Sequence, residues 1–120
     1  GEGFALAHAA LGSRVKREVC NIYDISPERL GTFDYVFISD VLLHLRSPML
    51  ALDNIARVTR GTAAIVDVFD ARLPGRLMEY QGGVVHNTWW AMGRDALEQM
   101  IVDAGFSTVK KYSEFLTGYR

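Results

Sequence analysis

Several side chains in this sequence are of types, and at spacings, that can do chemistry. Asn21 stands just ahead of Ile22, Tyr23 and Asp24. An amide there can hydrogen-bond a heterocyclic amine while an aliphatic neighbour packs on the ring face, as small-molecule pockets arrange it. Equally, Asn and Asp at such a place satisfy the backbone groups of a turn. Ser39, Asp40 and His44 form a second group. Imidazole titrates near neutral pH, so His44 is a candidate general base, or else a turn anchor working through one hydrogen bond. Asp40 and His44 with no third ligand nearby make a poor metal site, and no metal is expected. The run His86-Asn87-Thr88-Trp89-Trp90 is a third group. Its indoles, amide and imidazole can stack on and orient a planar substrate, or the tryptophans can seal the core beneath a loop. Asp67 lies inside an apolar run and needs a partner, for which a hydrogen bond to a loop is the plain expectation. Cys20 has no base beside it and is expected to be an inert thiol.

These groups need elements to hold them. Phe33 to Ser39 (FDYVFIS) has an apolar stretch without alternation, as in a strand covered on both faces, and Thr62 to Phe69 (TAAIVDVF) is similar. Residues 34–39 and 63–69 are therefore expected as adjacent central strands of a parallel sheet, with Ile38 and Val66 in the core. Between them Ser47 and Pro48 open a helix, Leu52, Ile55 and Ala56 line one face of it, and Gly61 is expected to end it. A second helix is expected over 94–104, closed by Gly105, and another over 4–11, followed by Gly12. Ser26-Pro27-Glu28 opens a short helical turn that Gly31 closes. Val15–Ile22 is expected as a charged edge strand, and Phe106–Tyr112 as a last strand. Residues 70–93 carry Pro74, four glycines and two tryptophans with no clear period, and are expected to form a long lid-like loop. Strands alternating with helices give an α/β fold whose ligands sit beyond the carboxyl ends of the strands. That places function at Asn21–Tyr23, Ser39–His44 and Phe69–Asp70.

Composition narrows the classes. The 120 residues suit one domain, about half of them hydrophobic. Thirteen Lys and Arg against fourteen Asp and Glu leave a net charge of −1, no footprint for nonspecific binding to nucleic acid or a membrane surface. One cysteine rules out an internal disulfide and suits a cytoplasmic location. No apolar run approaches the ~18 residues of a membrane span, so no membrane partner is expected.

The segment Asn21–Val58, NIYDISPERLGTFDYVFISDVLLHLRSPMLALDNIARV, resembles the middle of class I S-adenosylmethionine-dependent methyltransferases. The segment NTWWAMGRDALEQMIVDAGFSTV is similar to the end of the same domain, with tRNA wobble-uridine methyltransferases acting on 5-hydroxyuridine as the subgroup brought to mind. The resemblance implies a Rossmann-like three-layer α/β/α fold, incomplete because the first two strands and the glycine-rich loop are absent. Residues 1–120 would be one partial domain, from the helix before the third strand to about the sixth. It implies S-adenosylmethionine as the cofactor of the complete domain, held weakly or not at all by this chain alone. Asn21 and Ile22 would contact adenine, and Ser39 and Asp40 would flank the methionine moiety. His44 would lie near the reacting methyl group, while His86, Asn87 and Trp89 would face a small-molecule or tRNA acceptor. A truncated sheet would expose an edge through which two copies can pair. The competing reading is a noncatalytic binding module of the same fold.

Overall fold

The apolar run Tyr35–Ile38 forms the middle of strand β1 (Phe33–Ser39) in a computed structural model of the chain, which describes residues 1–85 and 87–114. β1 pairs in parallel with β2 (Thr59–Val66), Val36 opposite Ala63 and Ile38 opposite Ile65. Helix α3 (Pro48–Val58) joins them and covers this face with Ala51, Leu52, Ile55 and Val58. Pro48 opens α3 as expected, but Ser47 makes no side-chain cap bond. The helix ends at Val58, ahead of Gly61. Thr59 has already left helical geometry (φ −97°, ψ 112°), and its hydroxyl donates to the Ile55 carbonyl at 2.7 Å. Gly61 lies instead within β2, where a Cβ would collide with the Asp34 carbonyl.

Helix α4 (Arg94–Asp103) adds Ala96 and Met100 to the core, and Ile38, Leu42, Leu52, Ile55 and Met92 join Met100 in one cluster. Both helices thus lie on the Ile38 side of the sheet. The opposite face is open: Tyr35 is 62% and Phe37 63% exposed. Val66 shares that face and is 40% exposed, against 8% for Ile38, so only Ile38 of the two expected core positions is buried. Strand alternation is the reason, since Val66 lies opposite Ser39 and one residue on from Ile65.

Helix α1 (Glu2–Ala10) buries no residue, and Gly12 follows it at φ +55°. Helix α2 (Pro27–Leu30) is a single turn, capped by the Ser26 hydroxyl accepting the Arg29 N–H at 3.3 Å.

Two expected strands are not formed. Residues 15–21 run as exposed irregular chain, because Lys16, Arg17 and Glu18 favour water and no neighbouring strand offers a ladder among the described residues. A 3₁₀ turn, Ile22–Asp24, follows. Residues 106–112 face the outer edge of β2 across an open groove of about 380 Å³, without pairing to it. The expected loop at 70–93 instead contains an antiparallel hairpin, β3 (Met78–Val85) and β4 (Thr88–Met92). Gly82 and Gly83, at φ +68° and +74°, sit where its ladder breaks between Tyr80 and Val85, which hid the strand's alternation. The result, among the described residues, is a mixed α/β arrangement of one parallel and one antiparallel strand pair, consistent with part of a Rossmann-like fold. Among the described residues no helix is long and apolar enough to cross a membrane.

Candidate functional site

The carboxyl ends of β1 and β2 are tied together by backbone and side chain. The Asp40 N–H donates to the Val66 carbonyl at 2.8 Å, and Asp40 adopts φ +57°, a left-handed conformation uncommon outside glycine. Asp67 follows β2 and is half-buried. Its Oδ2 accepts the N–H groups of Leu42 at 2.8 Å and Val41 at 3.3 Å, and its Oδ1 accepts that of Val68 at 2.9 Å. The expected loop contact of Asp67 is therefore formed. It orders the 3₁₀ turn Leu42–His44, whose first N–H groups would otherwise lack partners. Burial pushes the Asp67 carboxyl above its ordinary range; the backbone donors oppose this, and the charge of Asp40 adds to it.

His44 is exposed, with Nδ1 3.2 Å from the Asn87 carbonyl oxygen. A carbonyl only accepts, so Nδ1 carries the proton and Nε2 is left as the basic nitrogen. Asn87 stands just ahead of β4, at φ +58°, which Asn tolerates. This contact brings together two groups that lie 43 positions apart in the chain.

The two tryptophans divide their roles. Trp90 packs against the core cluster, and its Nε1 donates to the Arg46 carbonyl at 3.1 Å. Trp89 carries the Arg46 guanidinium 4.3 Å from its ring centroid. Tyr80 meets Trp90 edge-on at 5.1 Å and Trp89 at 6.1 Å. Trp90 is thus the residue that seals the core. His86 lies outside the described residues.

An open groove of about 580 Å³ runs between the end of β2 and the hairpin, lined by Leu43, Val68, Phe69, Asp70, Thr88 and Trp90 among others. Arg72 bonds to the Asp70 carboxylate at 2.6 Å and holds it down at a pKa of about 2. The Asp70 N–H donates to the Met92 carbonyl, fixing the groove's floor to β4.

Asn21 caps the 3₁₀ turn, its Oδ1 accepting the Tyr23 N–H at 3.0 Å. Buried Asn54 donates to the carbonyls of Tyr23 at 2.9 Å and Ile22 at 3.4 Å, and Ile22 packs against the core. Asn21 therefore does the turn work that its type suggests, and no hydrogen bond links it to Ser39 or Asp40. Ser39 and Asp40 are both exposed at the end of β1, and their side chains make no hydrogen bond among the described residues. Sequence reasoning passed over Arg46, whose contacts with Trp89 and Trp90 were signalled only by its nearness to His44. Among the described residues no three His, Cys, Asp or Glu side chains converge.

A family model described as a methyltransferase domain matches residues 4–66. The matched span includes Asn21, Ser39, Asp40 and His44, whereas the hairpin lies beyond it. No curated protein and no solved structure matches the chain.

Proposed function

The chain belongs to the methyltransferase-domain family, and from that premise we propose that it serves S-adenosylmethionine-dependent methyl transfer to an acceptor held between the strand ends and the hairpin. The observation that carries this reading is the His44–Asn87 contact, which joins the strand-end turn of the matched span to the aromatic hairpin. The cofactor would supply an electrophilic methyl group on a sulfonium. Ser39 and Asp40 fit such a ligand chemically, since an exposed hydroxyl and carboxylate at a strand end can accept from an ammonium group or from ribose hydroxyls. Asn21 and Ile22 are proposed for the adenine side. With Oδ1 already committed to Tyr23, the amide NH₂ of Asn21 is the group it would offer.

His44 Nε2 would take a proton from the acceptor, its ring held by the Nδ1 bond to Asn87. Asn87 and Trp89, with His86, are proposed to orient that acceptor. Because methyl transfer is an in-line displacement, positioning by these residues is the protein's main contribution.

Titration of a ¹⁵N-labelled chain with millimolar S-adenosylhomocysteine tests the cofactor assignment. The amide signals of Asn21, Ser39 and Asp40 are expected to shift saturably, those of β4 to stay in place, and Asp40→Ala to abolish the response. An unshifted strand end would sink this reading.

A further inference from the structure

Successive tryptophans of β4 hold Arg46 at two points. The Trp90 indole N–H binds its carbonyl at 3.1 Å, and the Trp89 ring lies under its guanidinium at 4.3 Å. A guanidinium lying on a ring face spends its π-surface there and leaves its in-plane N–H edge for another partner. Arg29, Arg57, Arg60, Arg72 and Arg94 each pair with a carboxylate. Arg46, like Arg14, Arg17 and Arg76, has no carboxylate within ion-pair distance among the described residues, but its stack is closer than that of Arg17 on Phe4, at 4.3 Å against 5.9 Å. Apart from the stack, the hairpin is tied to the segment after β1 by the Trp90 hydrogen bond to Arg46 and by the contact of Asn87 with His44. A positioned cation two residues from His44, lying on the Trp89 face and with no hydrogen bond along its donor edge among the described residues, has the makings of an oxyanion receptor.

We propose that Arg46 binds an anionic group, a carboxylate or a phosphate, of a small acceptor whose body lies against Trp89 and Tyr80. The word acceptor rests on the methyltransferase reading, whereas the anion site stands on the geometry of Arg46. The Arg46 Nε–H signal and the two indole N–H signals of the labelled chain can be followed through titrations with acetate, with inorganic phosphate and with a single-stranded RNA oligonucleotide. Ionic strength is held constant with chloride. Saturable shifts of Arg46 and Trp89 with acetate or with phosphate are expected, and the anion that acts identifies the group. Arg46→Lys should weaken that binding about tenfold, since an ammonium loses the two-pronged geometry. Arg46→Gln should abolish it while the Trp90 indole signal stays in place. Where Arg46→Gln also displaces Trp90, the Arg46→Lys measurement decides.

Shifts no larger than chloride produces, undiminished binding in both variants, or a response to RNA alone would each overturn the proposal. The S-adenosylhomocysteine titration is a separate readout. A silent strand end with a saturable Arg46 shift would remove the methyltransferase reading and leave the anion site, and the converse would do the opposite.

Discussion

Half-buried beyond the end of β2, the Asp67 carboxylate accepts three backbone N–H groups and so sets the turn that carries His44. Its folded pKa is raised above the ordinary 3.8, chiefly by burial. Across the window between 3.8 and that raised value the folded state binds more protons than the unfolded one. Stability from this group therefore rises as pH falls through the window and is lost as pH rises. Asp70 acts in the opposite sense: bonded to Arg72 and depressed to about 2, its contribution is present above 3.8 and lost on acidification. The stability of the wild type relative to Asp67→Asn should accordingly increase as pH falls through the window above 3.8, read by urea denaturation at several pH values. Asp67→Ala, which strands the Val41 and Leu42 N–H groups, should cost about 1–3 kcal/mol. The need of Asp67 for a loop partner was legible in the sequence, because a carboxylate in an apolar strand has few other solutions. The role of Arg46 was not, because it depends on two indoles that reach it only through the hairpin.

Among the elements, the parallel pair was the part most open to sequence reading. Its apolar runs mark the two strands and Pro48 marks where the connecting helix begins, although the lack of alternation, taken as cover on both faces, misled, since Tyr35 and Phe37 are exposed. The strands expected at 15–22 and 106–112 show the limit of that reasoning. Their residue types suit a strand, but a strand exists only where a partner edge accepts its hydrogen bonds. The hairpin shows the reverse error, since Gly82 and Gly83 look like loop residues and serve as a break inside a ladder. Gly61 was also misplaced, as a helix terminator rather than a point of close approach between strands. Gly61→Ala should cost about 1–3 kcal/mol, because the backbone carbonyl of Asp34 cannot yield without disturbing the β1–β2 ladder. Thermal unfolding checks this, and an unchanged midpoint would show that the ladder adapts.

At the scale of the molecule, one sheet face is packed and the other is open. Ile38→Asp should abolish cooperative unfolding, since a buried unpaired charge rivals the whole stability of a domain. Val66→Asp, on the open face, should still fold and unfold cooperatively, as circular dichroism would record. Equal loss in both variants would mean that the face is covered in solution. Light scattering across a concentration series tests whether two copies pair through the exposed sheet edge. The open face also has a calorimetric consequence. Phe33, Tyr35 and Phe37 are already hydrated in the folded chain, so unfolding exposes less new apolar surface than in a fully packed domain. The heat-capacity increment should then fall below the usual ~12–15 cal/mol/K per residue, and the stability curve should flatten with temperature. Whatever covers Phe33, Tyr35 and Phe37 would restore that increment, so the curvature of stability with temperature reports on the occupancy of this face.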